Sequence, residues 1–168
     1  MKIVLDSDTI ILLSRTNVLS DILRICDEVY VVPEYTENIE KEISRTGYIY
    51  TATKRVIKEL RKGRLKRIKL SYMEKAEVYK LMKRHNIGKG ESESIVCGKV
   101  MNMMVITNDF YAYKIIKLYT KAMLFPEFLE WLYIKEVISK NTLSTMLDKI
   151  LEKHKNPKLY KLKNKYLE

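Results

Sequence analysis

Histidine and cysteine are scarce in this chain of 168 residues. His85 and His154 are the two histidines, and Cys26 and Cys97 the two cysteines. None of the four has the spacing that brings His and Cys ligands onto a zinc ion, which argues against such a site. Both cysteines sit among apolar neighbours, so buried free thiols and a reducing compartment are expected. Glycine is also sparse, at five residues. The "GKG" of Gly88–Gly90 lacks the rest of a phosphate-binding loop, and no serine stands in a nucleophile motif. No apolar run approaches the roughly 18 residues of a membrane span, and the start has no secretory-leader pattern. A cytoplasmic chain without a membrane partner is the expectation. With 46% apolar residues the chain can build a core without disulfides.

Charge is abundant and uneven. The net charge is +11, a balance that favours an anionic polymer as partner. Residues 1–43 hold nine acids against four Lys or Arg, whereas residues 44–70 hold ten Lys or Arg and the single acid Glu59. A uniform lysine bias would not segregate charge in this way. The basic set Lys54, Arg55, Lys58, Arg61, Lys62, Arg64, Lys66 and Arg67 is therefore the expected nucleic-acid contact. Tyr48, Tyr50 and Tyr72 flank it, with packing the expected role and base stacking the alternative.

Hydrophobic patterning alternates between two periods. "KIVLD" (residues 2–6), "VYVV" (29–32), "RIKL" (67–70), "MMVIT" (103–107) and "AMLF" (122–125) read as short strands, several rich in β-branched residues. Helical segments separate them. Thr16 is expected to cap a helix over "TNVLSDILRIC", and Tyr35, Ile39 and Ile43 recur at four-residue spacing. Ser71 and Glu74 fit a capping box, and Gly63 fits a helix stop. Strands alternating with helices predict an α/β fold with a mainly parallel sheet in a three-layer α/β/α arrangement. Ligands bind such sheets at the carboxyl ends of the strands.

Three acids share that kind of position. Asp6 follows one strand, Asp109 follows another, and Glu91 opens the intervening helix in "GKGESES". Each can be read as a helix cap or first-turn acid. Brought together, carboxylates repel one another unless a cation neutralises them. Hard divalent ions take such oxygen ligands, and paired ions can activate water for phosphodiester cleavage. A basic surface around an acidic metal centre is what a nuclease requires. Glu93 lies two residues, about 200°, around the helix from Glu91, and is expected at the surface or behind the ligands. Asp8 is either a further acid near the metal or a cap for the helix turn.

In their order "IVLDSDTIILL", "VVPEYTENIEKEI" and "GKGESESIVCGKVMNMMVITND", with Asp109 as the acid after the last of their strands, resemble the PIN-domain ribonucleases, the group that includes the toxin nucleases of VapBC systems. The trailing "PEFLEWLYIKEVIS" fits the family's last helical turn. The resemblance spans about residues 1–135, leaving 136–168 as a C-terminal helical extension. It implies an endoribonuclease using Mg²⁺ or Mn²⁺ held by Asp6, Glu91, Asp109 and a second acid from the "EYTENIEKE" helix. The usual offset from the proline falls near Ile39, among Glu37, Glu40 and Glu42; Glu40 is taken first and Glu42 as its rival. Ser7, Thr107 and Asn108 are the expected water- or phosphate-positioning residues. RNA as substrate, an antitoxin partner and a homodimer are also implied, while the chain's length leaves a stand-alone RNA-processing role open. The competing readings are a non-catalytic PIN-like RNA-binding module and a basic membrane-surface or interaction domain using the Leu159–Tyr166 tail.

Overall fold

The structure, a computed structural model, describes residues 1–46 and 50–167. Strands β1 (Lys2–Leu5), β2 (Glu28–Val31), β3 (Leu65–Arg67), β4 (Met104–Thr107) and β5 (Ala122–Leu124) form one sheet, all parallel, in the order β3-β2-β1-β4-β5. Helices α1 (Ser7–Arg15) and α2 (Leu19–Ile25) join β1 to β2, and α3 (Pro33–Thr46) and α4 (Thr51–Arg61) join β2 to β3. Helices α5 (Tyr72–His85) and α6 (Lys89–Val100) then carry the chain back across to β4, and α7 (Phe110–Ile116) leads to β5. Helices α8 (Phe125–Ile134), α9 (Lys140–Leu151) and α10 (Pro157–Leu167) complete the three-layer α/β/α fold.

The central strands are apolar because both faces of a parallel sheet are covered. Ile3, Val4, Leu5, Val105 and Ile106 are all fully buried. Helix α6 approaches the sheet closely at Gly98, where a Cβ would stand 2.6 Å from Val105 Cγ2 and 2.9 Å from Thr120 Cγ2. The chain winds outward from β1 through β2 to β3, then restarts on the other side at β4. Strand order therefore reverses between β1 and β4, and a crevice opens there at the strands' carboxyl ends. Asp6 and Asp109 are the residues that follow these two strands.

Three local expectations are corrected. Thr16 ends α1 instead of starting α2: its hydroxyl donates back to the Leu12 carbonyl at 2.8 Å, and Asn17 turns the chain with φ +61°. The third strand is Leu65–Arg67, earlier than "RIKL". Gly63, at φ +68°, reverses the chain after α4, so Leu65 already pairs with Val29. Tyr50 and Tyr72 are exposed instead of packed, whereas Tyr48 lies outside the described residues. Other signals hold. The Ser71–Glu74 capping box is formed, Tyr35 and Ile39 are buried, and both cysteines are free and buried. Burial pushes the Cys26 thiol up to about 11 and Cys97 to about 12. Among the described residues no helix is long and apolar enough to cross a membrane.

Candidate active site

Asp6 leaves β1 with extended backbone and caps α1, its Oδ1 accepting from the Thr9 N–H at 2.8 Å. The residue is only 4% exposed, and its backbone N–H donates to the Ile106 carbonyl of β4. Burial raises the Asp6 pKa to about 6, against hydrogen bonds led by that of the Thr107 side chain, which lower it. Asp109 repeats the arrangement on β4, capping α7 by accepting from the Ala112 N–H at 2.8 Å. Its own N–H donates to Thr107 Oγ1 at 3.1 Å. Thr107 thus stands between the two aspartates, as a side chain at the end of a buried strand can.

Across the crevice, Glu34 occupies the first turn of α3 and faces the start of α6. A Cβ at Gly90 would lie 2.5 Å from Glu34 Oε2 and 3.1 Å from Ser7 Oγ. Glycine at this position lets α6 approach both side chains. Burial raises the Glu34 pKa; the Lys89 charge opposes this and that of Glu91 adds to it. Glu91 is half-buried, and its carboxylate folds back over Gly88, where a Cβ would overlap it. Asp6, Ser7, Thr107 and Asp109 therefore form one group, with Glu34 and Glu91 as a second group reached through Ser7.

Glu40, expected to join the acids, does not. It is exposed and ion-paired with Arg67. Helix α3 does begin at Pro33, but at about 100° per residue position 40 faces away from position 34. Positions 34, 38 and 42 share a face instead, and Glu34, Asn38 and the rival Glu42 line one cleft of about 650 Å³ with Ser7, Ile11 and Arg15. Glu37 pairs with Lys89 at 2.6 Å. The acid that lies beside Ser7 and Gly90 is Glu34, which the sequence reading did not name and whose signal was this i, i+4, i+8 stripe.

Glu93, expected at the surface or behind the ligands, is not at the surface: it is 2% exposed. Its Oε2 accepts from the Glu34 N–H at 2.6 Å, and Lys89 Nζ stands 3.5 Å from Oε1. The opening turn of α3 has N–H groups without helical acceptors, and Glu93 supplies one from α6. Burial raises its pKa despite this bond.

The basic set divides in two. Arg55 donates to the Ser14 carbonyl, Arg64 pairs with buried Glu59, Lys66 with Glu28, and Arg67 with Glu40. Lys54, Lys58, Arg61 and Lys62 are exposed on and just after α4. His85 meets the Tyr119 hydroxyl as a satisfied histidine.

Among the described residues, no three or more acidic, His or Cys side chains are grouped closely enough to hold a metal ion as they stand. Each aspartate uses one oxygen as a helix cap, and Glu91 is turned over Gly88. The donor set nevertheless suits a hard divalent cation. It is all oxygen, Asp6 is a buried carboxylate with no basic partner among the described residues, and the next residue, Ser7, has a buried Oγ without a hydrogen-bond partner, as has Asn108 Oδ1 after β4. Buried polar atoms are rarely left so unless a further ligand is due.

A search of curated proteins gives no match to the chain. A family model described as a PIN domain matches residues 2–120. PIN domains are typically nucleases that act on RNA and use divalent metal ions. The matched span contains the whole sheet except β5, together with every acid described above, and the chain belongs to the PIN-domain family.

Proposed function

We propose that this chain is a metal-dependent endoribonuclease whose centre is Asp6, Asp109, Glu91 and Glu34. Mg²⁺ or Mn²⁺ bound by these carboxylates would activate water and stabilise the leaving oxygen of the phosphodiester. Asp6 and Asp109, fixed by their capping bonds, present their second oxygens from neighbouring strands. Ser7 Oγ orients water or phosphate, Asn108 orients water by accepting at Oδ1, and Thr107 holds the two aspartates in register. Glu42, on the same face as Glu34, lies farther along the cleft. The observation that carries this reading is the buried Asp6 carboxylate at the strand-order reversal, without a cationic partner among the described residues and followed directly by Ser7, whose buried Oγ is unpartnered.

The same reading includes an antitoxin partner and a homodimer if the role is that of a toxin, a reducing cytoplasm in which both thiols stay free, and residues 136–168 as an extension of the nuclease domain. Cleavage of single-stranded RNA with added Mg²⁺ or Mn²⁺ tests it. Chelator should stop the reaction, and Asp109→Asn, which keeps a capping side chain, should lose cleavage while still binding RNA. Wild-type cutting by Asp109→Asn refutes the centre. The second reading, a PIN-like module that binds RNA without cutting it, draws on the ungathered carboxylates among the described residues. RNA binding with no metal-dependent cleavage in the parent chain would select it.

A further inference from the structure

The chain beyond the residues matched to the PIN family returns to the crevice. Between α9 and α10 the connecting turn carries Lys153 and His154, and these line a cavity of about 390 Å³ with Asp8, Arg15 and Asn108. Lys153 Nζ donates to the Arg15 carbonyl at 3.4 Å, tying the turn to the end of α1. Asn108 brings its buried, unpartnered Oδ1 to the same place.

On the other side of Asp109 the surface is aromatic. Phe110, the residue that follows, is 54% exposed, and Tyr111 is 62% exposed. Phe110 stacks on Tyr113 with ring centroids 6.5 Å apart and 26° between planes. Lys114 Nζ from α7 and Lys158 Nζ from α10 stand 4.6 and 4.9 Å from the Phe110 centroid. Three lysines of the C-terminal helices are neutralised: Lys149 pairs with Asp21, Lys163 with Asp148 and Lys165 with Glu130. Lys153 and Lys158 enter no ion pair among the described residues. Lys153 and Lys158 are thus free to meet a ligand, and they are set apart from the chain's other unpaired lysines by their place beside Arg15 and Phe110.

We propose that Arg15, Lys153, His154, Phe110 and Lys158 form a docking strip for single-stranded RNA, with the C-terminal extension supplying half of it. Phosphates lie against Arg15, Lys153 and Lys158, and a base stacks on Phe110. Lys114 and Lys158 sit on flexible stems, so they can turn from the ring to the phosphates flanking a base that takes their place. The strip passes Asn108 and Asp109, which lays the strand across the carboxylates. Asp8 is the acid in the cavity, and Arg15 and Lys153 outnumber it. A duplex hides its base faces and cannot use an open ring in this way. That the bound strand is then cut rests on the nuclease reading; the binding does not.

The test is anisotropy of a short fluorescein-labelled single-stranded oligoribonucleotide of mixed sequence, with the full chain in chelator so that nothing is cleaved. Phe110→Ala should weaken binding about tenfold. Lys153→Gln combined with Lys158→Gln should flatten the dependence of log affinity on log salt by about 1.4, at about 0.7 for each phosphate that is no longer neutralised. Binding of a blunt RNA duplex should be insensitive to Phe110→Ala. Crosslinking of thiouridine-substituted RNA to the unaltered chain gives a readout independent of variant folding, and should label peptides containing Phe110–Lys114 and Lys153–Lys158. Unchanged affinity and salt slope in both variants, crosslinks confined to α4, or no RNA binding by the parent chain would overturn the strip. If the variants lose binding while the parent never cuts, the strip stands and the nuclease reading falls. If they bind and cut like the parent, the strip falls and the nuclease reading stands.

Discussion

Under the proposed function Asp6 pulls stability and activity in opposite directions, and the opposition can be measured. Its carboxyl is held at about 6 in the folded chain against an ordinary value of 3.8. The folded state therefore holds a proton that the unfolded chain releases, so this residue favours folding below pH 3.8 and loses that contribution as pH rises through about 6. The full difference corresponds to about 3 kcal/mol at neutral pH. Asp6→Asn removes the buried charge and keeps an N-cap able to accept from the Thr9 N–H. In chelator at pH 7.5 the variant should melt higher than the parent, by roughly 5–10 °C for a chain of this size. At pH 4, where Asp6 is largely protonated when folded, the two should nearly coincide. Addition of Mn²⁺ should raise the parent's melting temperature and leave the variant almost unmoved, since a ligand that binds only the folded state stabilises it. Calorimetry across pH, with and without metal, reads all three. A variant that melts lower than the parent in chelator at pH 7.5 would refute the reasoning, because the buried carboxylate would then be a net stabiliser.

Three further outcomes follow from the geometry. Glu34→Gln should reduce metal-dependent RNA cleavage to background, while Glu40→Gln should cut near the parent rate and lose no more than about 1 kcal/mol in urea unfolding, as an exposed ion pair does; the reverse pattern would return the second acid to Glu40. Glu93→Ala should cost about 1–3 kcal/mol by urea unfolding, because it leaves the Glu34 N–H at the start of α3 without its acceptor; an unchanged midpoint would show that the bond contributes nothing. Gly98→Ala should destabilise by about 1–2 kcal/mol, as overpacking against Val105 outweighs the helix-propensity gain of about 1 kcal/mol; a more stable variant would mean that α6 can move off the sheet.

Much of the fold was legible because its signals are local. "KIVLD" and "MMVIT" are apolar runs that each end near an acid, and parallel strands buried on both faces can hardly read otherwise. Asp6 and Asp109 were legible for the same reason: each is both the end of a strand and the cap of the next helix. What failed was decided by turns and tertiary contacts. Thr16 suits either end of a helix, and only the left-handed Asn17 makes it the end of α1. Glu93 looks solvent-facing beside Glu91, and its burial depends on the first turn of α3, which lies far away in sequence. Glu40 was chosen by offset from Pro33, whereas helical period favours the Glu34, Asn38 and Glu42 face. Charge counting identified a basic segment but not which cations are occupied, because the partners Glu28, Glu40 and Glu59 come from other elements or from an earlier turn.

The outermost strands, β3 and β5, are each three residues long. An open strand edge displays backbone donors and acceptors that can recruit another chain, and natural sheets blunt such edges with brevity and charge. Strand β3 does both, since Lys66 and Arg67 leave one apolar residue, Leu65, on a strand otherwise charged. Strand β5 runs directly into α8 at Phe125, so its backbone turns helical before it can extend a ladder. The sheet is thus poorly suited to continue into a second molecule. Self-association of this chain would have to use helical surfaces, and fibrillar stacking through the sheet is disfavoured from both sides.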